Sequence, residues 1–259
     1  MDIRLISKQD TVTSRGMLSK GWYLIDEEIC MVKGNSIENG ISGYEPYCEV
    51  IASRIGKLLG FDCIPYTIIS KEKFPEIKVY DIKHLSICKD FIPKGCRSMS
   101  MYKFITSKTF NEPSDWFTEI RKYFDMKIIY QMIVLDAFIC NEDRHLNNIE
   151  VIINSNGDYT LAPIFDNGAS LLSWHQDNEI TNLSALRKID SAKPFRTKHE
   201  SQLKLVPKGF LPHINLDNFF EDILKENQDV FELLPEDRAK AIKYFLKIRL
   251  KYLRKVMAE

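Results

Sequence analysis

The chain has 259 residues, 44% of them apolar and 11% aromatic, enough to bury the core of one large domain or two small lobes. Its 36 basic and 36 acidic residues cancel. That balance argues against direct nucleic-acid binding, whose affinity rests on Lys and Arg at phosphates. No run of roughly eighteen apolar residues occurs, so no transmembrane helix and no membrane partner are expected.

The opening MDIRLISKQD has no apolar core of the kind a secretory signal needs. Six cysteines lie scattered, with no CxxC pair and no zinc spacing. Free thiols in a reducing cytoplasm are therefore expected. Apolar runs at 22–25 and 28–32, split by Asp26-Glu27, predict a hairpin. Pro46 and Gly60 bracket a helix whose Ile51, Ile55, Leu58 and Leu59 share one face. Strands are expected at 64–69, 78–82 and 85–92. Pro93-Lys94-Gly95 breaks the pattern and marks a hinge.

Beyond the hinge the chain turns helical. One helix is expected over 116–140, followed by a hairpin over 149–165 and an irregular stretch to about 210. Helices near 216–226 and 236–257 close the chain. Pro235, Glu236 and Asp237 start the last one, and Lys251, Arg254 and Lys255 end it, as the helix dipole favours. The order predicts an α+β, two-lobed, protein-kinase-like fold. A small antiparallel-sheet lobe would occupy 1–92 and a helical lobe 93–259.

The chemistry concentrates in Asn141-Glu142-Asp143-Arg144-His145-Leu146-Asn147-Asn148 and Asp166-Asn167-Gly168. Asn156-Gly157 between two apolar runs is a strong hairpin signal. Asn148 lies eight residues before that turn and Asp166 nine after it, which sets them side by side at the open end. Paired strands are roughly 4.8 Å apart, so both oxygens can reach one Mg²⁺. Asp143 stands five residues before Asn148, the Asp-to-Asn spacing of the kinase catalytic loop. There the Asp accepts the substrate hydroxyl's proton and the Asn binds metal. Asp166 then takes the metal-binding place.

Such chemistry also needs a lysine. Lys33 ends the apolar strand Ile29-Cys30-Met31-Val32, and Glu49, one turn into the next helix, is its expected partner, with Glu45 second. The phosphate-covering loop would fall within 11–21, although only Gly16 and Gly21 serve it. Thr11, Thr13, Ser14 and Ser19 there leave room for autophosphorylation. Asp136, on the helix face, would brace the catalytic loop, with Arg144 and His145 as supports rather than base. His84, His175, His199 and His213 read as ordinary. Lys243, Lys247, Arg254 and Lys255 read as a solvated stripe. Trp174 and the residues after Gly168 read equally as a substrate loop or a structural one.

Asp143-Arg144-His145 inverts the usual His-Arg-Asp order and resembles the HipA-like serine/threonine kinases of bacteria and, more distantly, the phosphatidylinositol kinases. Gly43-Tyr44-Glu45-Pro46, Glu49 through Ser53 and Leu59-Gly60 look like the first helix of small HipA-domain proteins. Lys193-Pro194-Phe195, with His199 and Gln202, is similar to a stretch after their metal-binding Asp. The resemblance covers roughly 15–210. It implies an ATP- and Mg²⁺-dependent serine/threonine kinase in which Lys33 and Glu49 serve ATP, Asp143 is the base, and Asn148 and Asp166 hold Mg²⁺. It also implies a protein substrate, the chain itself included, and an antitoxin-like regulator. The chain has no counterpart of the extra N-terminal subdomain of full-length HipA, so a minimal form is expected. A lipid or small-molecule kinase and a nucleotide-binding pseudokinase are the alternative readings.

Overall fold

The computed structural model describes residues 2–13, 16–38, 40–182, 186, 188–210 and 218–258. Ser14, His213 and positions 216–217 lie outside them, as do the side chains of Thr11, Thr13 and Lys255. Three strands open the chain: β1 (Ile3–Thr13), β2 (Gly16–Ile25) and β3 (Glu28–Lys33). Asp26 and Glu27, at φ 46° and 69°, form the expected two-residue turn between β2 and β3. The loop expected over 11–21 is instead part of the β1–β2 hairpin, which pairs as far as Thr13 and Gly16. Ser19 is buried and accepts a hydrogen bond from the Lys78 amide at 3.1 Å, so it is no open phosphorylation site.

A short hairpin of β4 (Ile37–Glu38) and β5 (Ile41–Ser42) leads into α1 (Glu45–Leu58). Pro46 stands in its first turn, Gly60 follows at φ 70°, and Ile51, Ile55 and Leu59 are buried, as the spacing demands. Strands β6 (Thr67–Ser70) and β7 (His84–Lys89) complete a five-stranded antiparallel sheet of order β1-β2-β3-β7-β6. The strand expected at 78–82 does not form. The buried Asn35 amide serves the Tyr80 backbone there, accepting from its N–H at 2.8 Å and donating to its carbonyl at 2.7 Å. A side chain thus fills the hydrogen-bonding role a neighbouring strand would have had.

After a turn at 93–96, β8 (Arg97–Ser100) runs into α2 (Met101–Thr109), whose N-terminus Ser100 caps. The helix expected over 116–140 is two, α3 (Trp116–Ile120) and α4 (Lys127–Ile139). The Asp125 carboxylate accepts the Lys127 amide at 3.0 Å and restarts the chain there. Helix α4 is apolar almost all round and buried, the central rod of the helical lobe. Strands β9 (Glu150–Ile153) and β10 (Tyr159–Leu161) follow and pair with β8 in a second sheet, order β10-β9-β8.

Short helices α5 (Asp177–Ile180) and α6 (His199–Leu203) precede α7 (Phe219–Glu226), α8 (Gln228–Leu233) and the long α9 (Glu236–Ala258). Arg249 of α9 donates to the Ala137 carbonyl at 2.9 Å and locks the last helix onto α4. Lys243 and Lys247 of the expected solvated stripe lie over the rings of Phe231 and Phe220, at 4.7 and 6.0 Å. All six cysteines are free thiols. No described helix is long and apolar enough to cross a membrane.

His199, buried at the start of α6, has its pKa pushed from the ordinary 6.5 down to about 3, first by burial and then by Arg249. The unfolded chain takes up this proton below about pH 6.5, and the folded one only near 3. Stability is therefore fully present above 6.5 and falls as pH drops between those values, by about 1.4 kcal/mol per unit at most. His199→Gln should flatten that part of the acid limb. Urea unfolding at several pH values checks it, and parallel losses in wild type and variant would exclude His199 as the source.

Candidate functional site

Between the five-stranded sheet and the loops leaving α4 lies a cleft of about 650 Å³. Lys33, Glu49, Asp143, Asn148 and Asp166 all line it. Every residue singled out as a site candidate from the sequence is thus brought to one place.

Lys33, at the end of β3, is buried, with its ammonium 3.3 Å from Glu49 Oε2 and 2.7 Å from Asp166 Oδ1. It also stands 5.2 Å from the centre of the Tyr66 ring. Burial works against its charge, but Asp166 and then Glu49 outweigh that and hold its pKa well above the usual lysine value. Burial likewise opposes ionisation of Asp166, yet Lys33, followed by Arg144 and Lys20, draws its carboxyl down to about 2. Burial lifts the carboxyl of Glu49 against the pull of Lys33. Glu45 is not the partner of Lys33; its carboxylate accepts from the Ser36 amide at 3.1 Å and the Ser36 hydroxyl at 2.5 Å.

The β9–β10 turn differs from the one expected. Asn154 pairs with Asp158, and Gly157, at φ 87°, closes a three-residue loop. The ladder is therefore displaced by one residue from a two-residue Asn-Gly turn, and Asn148 and Asp166 both lie beyond its ends. What holds them together is Arg144. Its fully buried guanidinium donates to the carbonyls of Asn148 at 3.4 Å, Phe165, and Asp166 at 3.5 Å.

Arg144 is itself fixed by Asp136, through Nε at 2.9 Å and Nη2 at 3.0 Å. Asn141 donates to the same Asp136 carboxylate at 3.1 Å, and its own side-chain oxygen accepts the Asp143 amide at 3.1 Å. Asp136 thus braces the loop, as read from the sequence. Arg144 also donates to the Asn167 side chain, and the Asn167 amide donates to Glu49 Oε1 at 2.7 Å. One buried polar chain therefore runs from α4 to the Asp166 segment, then to α1 and Lys33. Gly168 makes room for this, because a Cβ there would lie 3.0 Å from the Cβ of Glu45.

Two further lysines enter the site: Lys20, not singled out from the sequence, and Lys193, named there only as part of a resembling stretch with no role. Lys20 faces Lys33 in register across β2 and β3 and lines the cleft; burial, then Lys33, lowers its pKa, with Asp166 partly offsetting. It lay inside the expected phosphate-covering segment, and only strand pairing reveals its direction. Lys193 reaches the Asp143 carboxylate at 2.9 Å.

The cleft thus sets lysines opposite hard oxygen donors, an arrangement that can take a polyanion together with a divalent cation. Asn148 spends its amide nitrogen on the Asp143 carbonyl at 3.3 Å, and Asp166 stays ionised. An amide oxygen and a carboxylate fit Mg²⁺, which takes one or two protein groups and fills its shell with water and phosphate oxygens. No all-protein cage of three His, Cys, Asp or Glu exists among the described residues.

Neither a protein-family model nor a curated protein sequence matches the chain. Among solved structures, the Helicobacter pylori proinflammatory kinase CtkA superposes with a TM-score of 0.68 at 17% identity, over 98% of this chain and 95% of that one. HipA of Shewanella oneidensis MR-1, solved with HipB and operator DNA, superposes with a TM-score of 0.49 at 12% identity, over 100% of this chain and 74% of that one. The chain therefore has a two-lobed α+β, kinase-like fold, shared with CtkA.

Proposed function

We propose that this protein is an ATP- and Mg²⁺-dependent serine/threonine protein kinase of HipA type. The observation that carries the reading is the convergence of Lys33, Glu49, Asp143, Asn148 and Asp166 on one cleft in a chain with that fold. The Lys33–Glu49 ion pair is already formed, so the lysine is oriented for a nucleotide phosphate. Asp143 takes the acceptor hydroxyl's proton. Asn148 and Asp166 would hold Mg²⁺, which when bound supplies positive charge to the phosphate oxygens. The turn at 93–96 is the hinge of the proposed lobes, 1–92 and 93–259. The antitoxin-like regulator rests on the sequence resemblance alone.

Lys20 joins Lys33 as a second phosphate-binding cation and makes up for the sparse glycines of the covering segment. Lys20→Met should weaken MgATP binding about tenfold, the worth of one charge-assisted hydrogen bond. Titration with a fluorescent ATP analogue checks this, and an unchanged Kd would remove Lys20 from the nucleotide site.

The reading is tested by incubating the protein with Mg²⁺ and γ-labelled ATP, beside a panel of protein acceptors and, separately, phosphoinositide vesicles. Label on serine or threonine of the chain itself or of an acceptor protein is expected. Label only on lipid, or ATP bound and never turned over, would overturn it.

A further inference from the structure

Lys193 follows Asp143 by 50 residues, yet its ammonium donates to Asp143 Oδ1 at 2.9 Å. Its backbone is held for that purpose. Gln202, buried on α6, donates to the Lys193 carbonyl at 3.0 Å and accepts the Phe195 amide at 3.0 Å. Phe195 is buried and packs edge-on against Phe117 of α3, ring centres 5.3 Å apart. One side-chain amide and one aromatic pair therefore clasp the 193–195 segment against the helical lobe.

Two contacts hold the Asp143 backbone. Asn141 accepts its N–H at 3.1 Å, and Asn148 donates to its carbonyl at 3.3 Å. The Lys193 contact bears on the carboxylate itself. Its two partners are unlike: the Asp143 side chain is 9% exposed and that of Lys193 46%. A half-exposed lysine, which gives up rotamer freedom to stay put, is directed at a nearly buried acid in the cleft.

We propose that Lys193 is a positioning residue for Asp143, an inference that rests on the kinase reading. By engaging Oδ1 it helps to fix the plane of the carboxylate that takes the proton. In the transfer, the acceptor oxygen bonds to the γ-phosphorus as its proton passes to the Asp143 carboxylate. The bond from the γ-phosphorus to the β,γ-bridging oxygen breaks, and its electron pair leaves with ADP. A carboxylate free to swing presents its oxygen in line for only part of the time, and small misplacements of a reacting group cost rate steeply. Lys193 therefore acts on turnover and not on nucleotide affinity.

The test compares wild type, Lys193→Met and Lys193→Arg in steady-state phosphorylation, with the Kd of MgATP measured separately by fluorescence. Lys193→Met is expected to lower kcat by roughly 10- to 100-fold. KM and Kd for ATP and the melting temperature should stay unchanged, and Lys193→Arg should restore much of the rate, since it keeps the charge and a donor. An unchanged kcat in Lys193→Met, a loss carried wholly by KM for ATP, or an Arg variant no better than Met would overturn the assignment. A wild type that transfers no phosphate would overturn the kinase reading itself, and this inference with it.

Discussion

Asp143→Asn is expected to bind MgATP as tightly as wild type and to transfer phosphate at least about 100-fold more slowly, the lower end of what a positioned general base contributes. The substitution keeps the size of the side chain and an oxygen for Lys193, so the 2.9 Å contact has a neutral replacement. The Asn141 and Asn148 contacts are to the Asp143 backbone and survive unchanged. What is lost is the capacity to take a proton. Single-turnover phosphorylation, read by intact mass, separates this from weakened binding. A variant with more than a tenth of the wild-type rate would show that Asp143 is not the base.

The second large effect falls on stability. Arg144→Met should destabilise the protein by about 3–5 kcal/mol, because it strands the buried Asp136 carboxylate without its cation. In a chain of this size that corresponds to a fall of roughly 10 °C in melting temperature. Both partners are essentially inaccessible, at 0% and 1% side-chain exposure, so solvent cannot step in. The same guanidinium holds the carbonyls of Asn148, Phe165 and Asp166. Adding Asp136→Leu to Arg144→Met should then cost less than the sum of the two single changes, since an uncompensated charge no longer remains. Urea unfolding of the four proteins measures it. A loss under about 1 kcal/mol for Arg144→Met would mean that the network does not hold the loop.

Much of the site was legible because its signals are local. Asp143 and Asn148 belong to one eight-residue loop, and Lys33 and Glu49 to one strand and the helix after it. Asn148 and Asp166 come together, but not through strand register: the three-residue loop at Gly157 displaces the ladder, and Arg144 supplies the tie. The sequence reads Arg144 as a support and Asp136 as a brace, but their pairing shows only once α4 buries Asp136 beneath the loop.

Long-range features were not legible for a plainer reason. Lys193 meets Asp143 across 50 residues, and nothing in the intervening sequence encodes that return. Strand β1 escaped because IRLISKQDTVT leaves Leu5 and Ile6 exposed at 38% and 50%, so its edge position erases the alternation that marks half-buried strands. The break between α3 and α4 and the missing strand at 78–82 have a common cause. In each, an Asp or Asn side chain takes over a backbone hydrogen bond, at Asp125 and Asn35.

A kinase of this kind must bring nucleotide and cation together at this cleft. A crystal structure with Mn²⁺ and a non-hydrolysable ATP analogue, phased for the manganese anomalous signal, tests it most directly. The prediction is a manganese peak within coordination distance of Asn148 and Asp166, phosphates facing Lys33 and Lys20, and the γ-phosphate on the Asp143 side. A nucleotide bound outside the cleft, or a metal held away from both Asn148 and Asp166, would contradict it.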